Sequence, residues 1–183
     1  MLAHAGALLI PVLAEATSKN VALETLTALT TLYIASELIR LRGGNVPIIT
    51  GFTLRMSRPS ERPHFISRPV YLALGLILAL ILFPKDIAYA SIAVVAVGDP
   101  VAGYVGGRIG RLHVGRKTLE GFAAGLTASA ILASLVVAPL VAAVGSTAAS
   151  LLELSGVFED NIMMPVGAGV AMLLVSGTAL HIV

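Results

Sequence analysis

Apolar residues run through this chain in long blocks, and the charged residues gather in the gaps between them. Leu2–Ala16 is a first, short block, closed by a turn at Thr17–Asn20. Val21–Leu41 is a second, carrying Glu37, Arg40 and Arg42 at its end. Pro69–Phe83 is a third, with Pro84-Lys85-Asp86 as its far turn. Ile87–Gly107, Gly121–Val144 and Ile162–Val183 follow. Ser146–Ser155 is too short to cross alone and reads as a re-entrant or tilted helix holding Glu153. A crossing helix takes about 20 apolar residues. The expectation is therefore an all-α fold: a polytopic helical membrane protein of about six to seven membrane segments, forming one domain over 1–183. Leu2–Ala16 lacks the basic n-region of a cleaved leader and reads as a retained helix.

The fourth block is interrupted. After the uncharged run Ile87–Val97 come Gly98, Asp99 and Pro100. Asp at an N-cap and Pro at the first helical position start helices. The pattern predicts a helix broken at Gly98–Pro100. A carboxylate at this depth costs roughly 2.5–3.5 kcal/mol on the insertion scale, which makes Asp99 a candidate functional group. Gly103/Gly107 and Gly106/Gly110 are each four apart, so each pair shares a helix face, as close helix packing requires.

Composition agrees with the block pattern. The 183 residues are 57% hydrophobic and 12% charged, with a mean hydropathy of +0.94. Cysteine is absent, which excludes disulfides and thiolate chemistry. Ten of the twelve Lys and Arg residues fall in two regions: Arg40, Arg42, Arg55, Arg58, Arg62 and Arg68 in one, and Arg108, Arg111, Arg116 and Lys117 in the other. Two blocks separate these regions, so they share a side. The positive-inside rule makes loops 42–68 and 108–120 cytoplasmic in a multi-pass cell-membrane protein. Gly43–Arg68 reads as a loop with an interfacial piece around Ile48–Met56. Glu37 and Arg40, three apart, can pair on one helix face. His64 and His113 read as solvated loop residues. No nucleic-acid partner is expected, and the oligomeric state stays open.

The second basic region carries the chemistry. It opens into an apolar helix at Glu120-Gly121, and a basic loop before a helix N-terminus suits phosphate groups. Gly110-x4-Gly115-Arg116-Lys117-Thr118 misses the phosphate-loop pattern by one inserted arginine and has no strand before it.

The run G-D-P-V-A-G-Y-V-G-G-R-I-G from Gly98, followed by G-R-K-T-L-E-G from Gly115, resembles the nucleotide-binding signature of the CTP-dependent lipid kinases, the dolichol, phytol and diacylglycerol kinase group. Asp160-Asn161-Ile-Met-Met-Pro165 is similar to that family's D-N-x-x-x-P element, and Ser36–Gly43 to a third. The CDP-diacylglycerol synthases carry a related version of the first. The family places a basic pair just ahead of a histidine in its first helix; this chain has His4 without the pair.

The resemblance implies transfer of the γ-phosphoryl group of CTP to a long-chain isoprenoid alcohol of dolichol, polyprenol or phytol type, giving lipid phosphate and CDP. It implies Asp99, Lys117 and Asp160 as catalytic residues. Mg²⁺ or another divalent cation would sit on Asp99, Asp160 and Asn161. Gly103, Gly107, Arg108, Gly110, Arg116, Thr118, Glu120 and Gly121 would line the nucleotide, with Glu120 orienting Lys117 or a metal-bound water. Glu37, Arg40 and Glu153 are supporting candidates. Asp99 and Asp160 are expected to face one pocket with Lys117 at its rim. The alternatives are a cytidylyltransferase forming a CDP-lipid, and a small transporter with a broken helix and a buried acid.

Overall fold

The computed structural model describes residues 2–156 and 159–177. α-Helices dominate: α1 (Leu2–Ala7), α2 (Leu9–Ala16), α3 (Lys19–Leu41), α4 (Pro47–Met56), α5 (Arg68–Leu82), α6 (Lys85–Ile109), α7 (Leu119–Ala133), α8 (Pro139–Ser155) and α9 (Asp160–Val175). Between α6 and α7 lies a small antiparallel hairpin, β1 (His113–Val114) with β2 (Lys117–Thr118).

Three segment expectations change. The first block is two helices, parted at Leu8. Pro11 has no N–H for the carbonyl of Ala7, where α1 ends. The expected break at Gly98–Pro100 is absent, and α6 runs unbroken for 25 residues with Pro100 inside it. Asp99 does not cap a helix start, because its carboxylate turns to His4 instead. α7 braces the same stretch: a side chain at Gly125 would meet the Gly98 carbonyl at 2.8 Å and the Ala102 Cβ at 2.9 Å. The fifth block divides at Pro139, the first residue of α8, where proline suits a helix start. Ser146–Ser155 is thus the second half of a 17-residue helix rather than an isolated short segment. The last block is described as far as Gly177, and residues 178–183 lie outside the described residues.

α6 is central and packs against α1, α5, α7, α8 and α9. Small residues make up half of the interior, and leucine mostly faces outward. Among the described residues, fourteen of the 27 buried hydrophobic residues are alanine. Only four leucines are buried among the described residues, whereas fourteen are exposed, among them Leu9, Leu135, Leu140 and Leu174. Water would favour the reverse, since each buried leucine contributes about 1.5–3 kcal/mol. Among the described residues, α6 is the one helix long and apolar enough to cross a membrane; α5, α7, α8 and α9 are apolar but shorter.

Two helix registers set the position of the site. Gly75 of α5 lies against the Asn161 carbonyl and Ile162, and Phe83 lies against Gly169, so α5 and α9 run parallel. α9 therefore starts seven residues, or about 10 Å, along α5 rather than level with its beginning. α8 and α9 run antiparallel, with Met172 on Gly145 and Leu152 on Gly167.

Candidate functional site

The hairpin follows from its turn. Gly115 has φ +59°, a conformation that glycine adopts without strain. It pairs with Arg116 as a two-residue turn, which projects Arg116 at the tip and returns the chain to Lys117 and Thr118. Thr118 then caps α7, its Oγ1 accepting from the Gly121 N–H at 3.2 Å. The flexible loop expected from sequence is in this way a short, folded arm.

Lys117 reaches from this arm to two acids on other helices. Its Nζ lies 2.8 Å from Glu153 Oε1 on α8 and 3.1 Å from Asp160 Oδ2 on α9. Glu153 is almost fully buried, whereas Lys117 and Asp160 are each about one-third exposed. Burial works against the lysine charge. The hydrogen bond to Glu153 and the charges of Glu153 and Asp160 outweigh it and hold the ammonium pKa above its ordinary range.

A second polar group adjoins the first. His4 Nε2 lies 3.1 Å from Asp99 Oδ2 and 2.9 Å from Asn161 Oδ1. Asn161 follows Asp160 in the chain, so Asp99, His4, Asn161, Asp160, Lys117 and Glu153 form one connected cluster drawn from α1, α6, α8, α9 and the hairpin.

Beside the cluster is a cavity of about 400 Å³. Its walls include Gly103 and Gly107 of α6, His113, Arg116 and Lys117 of the hairpin, Phe122 of α7, and Ser150, Glu153 and Leu154 of α8. The two glycine faces of α6 have different tasks. A side chain at Gly106 or Gly110 would meet Thr118 Oγ1 at 2.6 or 2.7 Å, so these positions seat α6 against the start of α7. Gly106 and Gly110 also border the cavity, but a side chain at Gly103 or Gly107 would meet nothing within 4 Å, so that face is the open one.

Several candidates sit elsewhere or do other work. Arg108 lies over the Tyr104 ring, 4.9 Å from its centre, and does not line the cavity. Glu120 does not reach Lys117; its carboxylate accepts the backbone N–H groups of Arg111 at 3.0 Å and Leu112 at 3.2 Å, tying the loop to α7. Gly121, with Gly110 and Thr118, does line the cavity, and it is also packed against the Ala102 carbonyl and Thr118 Oγ1. Glu37 and Arg40 form a separate buried pair, remote in sequence from the cluster.

The structure brings His4 and Glu153 into the cluster and places His113, expected as a solvated loop residue and indeed exposed, at the cavity wall with Phe122 and Ser150, which the sequence did not single out. An acid or histidine in an otherwise apolar segment was the available signal for the first two.

No protein-family model, no curated protein and no solved structure matches the chain.

Proposed function

We propose that the chain is a multi-pass membrane enzyme that moves the γ-phosphoryl group of CTP onto a long-chain isoprenoid alcohol, giving lipid phosphate and CDP. The observation that carries this reading is the cluster itself. Asp99, Lys117 and Asp160-Asn161 come from motifs far apart in the chain and are linked through His4 and through the Lys117–Asp160 pair; of them Lys117 lines the cavity, whereas Asp99, Asp160 and Asn161 are not among its lining residues, so the expected shared pocket for the two aspartates is not seen. The choice of CTP and of an isoprenoid alcohol rests on the resemblance to the CTP-dependent lipid kinases.

The multi-pass reading is supported by the inverted distribution of side chains. A bundle with alanine and glycine inside and leucine outside suits a lipid solvent, where close backbone approach, not burial of apolar bulk, drives helix packing. The basic segments 42–68 and 108–120 would then face the cytoplasm.

Magnesium suits the donor set. Asp99 Oδ1 and Asp160 Oδ1 have no hydrogen-bond or ion-pair partner among the described residues, and Asn161 adds an amide oxygen. Among the described residues no group of three or more His, Cys, Asp or Glu could hold an ion alone. Magnesium does not require one, because it binds through one or two carboxylates plus substrate phosphates. Asp99, Asp160 and Asn161 would hold the ion, which would supply countercharge to the triphosphate.

The chain's own residues supply position and countercharge, which dominate phosphoryl transfer. Lys117 neutralises phosphate oxygens, and Glu153 keeps that ammonium charged and aimed at the cavity. Arg116 and His113 add donors from the hairpin. The bare backbone at Gly103 and Gly107 gives the nucleotide room. His4 fixes the orientation of Asp99 and Asn161. The alcohol oxygen bonds to the γ-phosphorus as the bond to the β-bridging oxygen breaks, CDP leaves, and the hydroxyl proton passes to water.

The transporter alternative drew on a helix break at Gly98–Pro100, and α6 has none. The test uses CTP labelled at the γ-phosphorus with membranes holding the chain and mixed lipid alcohols. Label in lipid is the expected result. Label in pyrophosphate would indicate a cytidylyltransferase, and solute flux without turnover a transporter.

A further inference from the structure

Ser150 differs from most helix hydroxyls in this protein. Ser129, Ser134 and Ser155 donate to the carbonyl three residues back, and Thr147 to the one four back. Ser150 makes no such bond and has no hydrogen-bond partner among the described residues, although it is only 3% exposed. Ser146, one turn earlier, has an unpaired Oγ that is sealed in the interior. Ser150 instead lines the cavity, one turn from Glu153 and Leu154. Unlike Ser146 Oγ, the Ser150 oxygen is not sealed in but open to the cavity, so a ligand there can take up its hydrogen-bonding capacity.

The rest of the polar lining is already assigned. His113, Arg116 and Lys117 are cationic or basic and share the hairpin, where a triphosphate fits. Glu153 holds Lys117, and Thr118 Oγ1 caps α7. Beyond them lie a neutral hydroxyl, Ser150, and an aromatic face, half-buried Phe122. A flat heterocycle takes this combination: a ring to stack and an edge to hydrogen-bond. A lipid tail takes neither, and about 400 Å³ is the scale of one small ligand.

Resting on the reading of this cavity as a nucleoside triphosphate site, we infer that Ser150 and Phe122 form its nucleobase subsite. Phe122 offers the ring face, Ser150 bonds to the base edge, and the open backbone at Gly103 and Gly107 leaves the space.

The test is calorimetric titration of the purified full chain in detergent micelles with the magnesium salts of CTP and of inorganic tripolyphosphate, which has no base. The unaltered chain should bind CTP more tightly than tripolyphosphate. Ser150→Ala should weaken CTP about 3- to 10-fold, the scale of one neutral hydrogen bond, and leave tripolyphosphate unchanged. Phe122→Leu, at a half-buried position, should weaken CTP about 5-fold or more and also spare tripolyphosphate; it carries the same contrast if Ser150→Ala does not fold. Equal weakening of both ligands would make these residues structural and overturn the subsite. So would CTP binding that neither variant alters. Tripolyphosphate binding as tight as CTP would remove the base subsite and leave the phosphate site standing, whereas binding of neither would remove both.

Discussion

Glu37 and Glu153 are both buried glutamates paired with a cation, yet the two regions are built to different ends. Glu37 is fully enclosed and saturated. Arg40 grips both its oxygens, at 2.8 Å through Nε and 2.7 Å through Nη2, and the Ile66 N–H adds a third bond at 3.0 Å. Arg40 uses four of its five N–H groups, the other two bonds going to the carbonyls of Arg62 and His64. This is a clamp that holds the 62–66 segment onto α3. Glu153 accepts from Lys117 through Oε1 alone; both line the cavity, and Lys117 is shared with the part-exposed Asp160. Near-saturation on both sides marks a structural ion pair. Spare valence beside open space marks one that can exchange partners for a ligand.

The sharpest break of this contrast is at the two aspartates. Asp99→Asn and Asp160→Asn keep shape and remove charge, and each should abolish lipid phosphorylation, with turnover down on the order of 10³-fold or more. The double variant should be little worse than either single one, since residues acting as a unit are not additive. Additive losses in a radiolabel assay would mean that the aspartates act separately.

Arg40→Ala tests the other region. It strands a buried carboxylate, so it should cost about 3–5 kcal/mol of stability, read by thermal unfolding in micelles. Turnover per folded molecule should hold. A variant with normal stability and lost turnover would move the clamp into the reaction machinery.

Lys117→Ala should lower turnover about 10²- to 10³-fold, the usual cost of removing one group that meets developing charge, with helical circular dichroism preserved. Lys117→Arg should not restore full activity, because a planar fork does not replace a point charge among crowded phosphates.

The smallest effects concern the two glycine faces and differ in sign. Gly106→Ala drives a methyl into Thr118 and should destabilise by about 1–3 kcal/mol. Gly103→Ala, in open space, should stabilise α6 by roughly 0.5–1 kcal/mol while weakening CTP binding. Equal unfolding temperatures for the two variants would erase the distinction between the faces.

The all-helical class was legible because apolar blocks and proline- or charge-rich gaps are local signals. α3 to α6 lie close to their expected limits for that reason. The misreadings came where a distant contact overrode a local one. Asp99-Pro100 has the form of a helix start, but His4, 95 positions away, takes the carboxylate, and α7 supports the backbone through Pro100. Pro139 was a local stop signal passed over in an apolar run. In the site, the basic segment was legible as a group of neighbouring residues, of which Arg116, Lys117 and Thr118 line the cavity, but their division of labour was not. Nothing near Glu120 marks it as a tether for the Arg111 and Leu112 amides. Nothing near Glu153 marks it as the partner of a lysine 36 positions earlier. That Gly103 faces space and Gly106 faces Thr118 depends on where α7 crosses, which no spacing within α6 reveals.

The late start of α9 along α5 has a consequence for substrate access. A bundle with level ends would present its polar cluster above the acyl chains, and a lipid alcohol would have to climb out to meet it. Each CH₂ drawn into water costs roughly 0.8 kcal/mol, so a climb of several carbons would add a barrier comparable to much of a binding energy. Here the first turn of α9, with Asp160 and Asn161, is set about 10 Å below the start of α5. On the proposed reading, this step would lower water and charge to the depth of the lipid hydroxyl, so that the alcohol would meet the phosphates while its tail stayed in hydrocarbon.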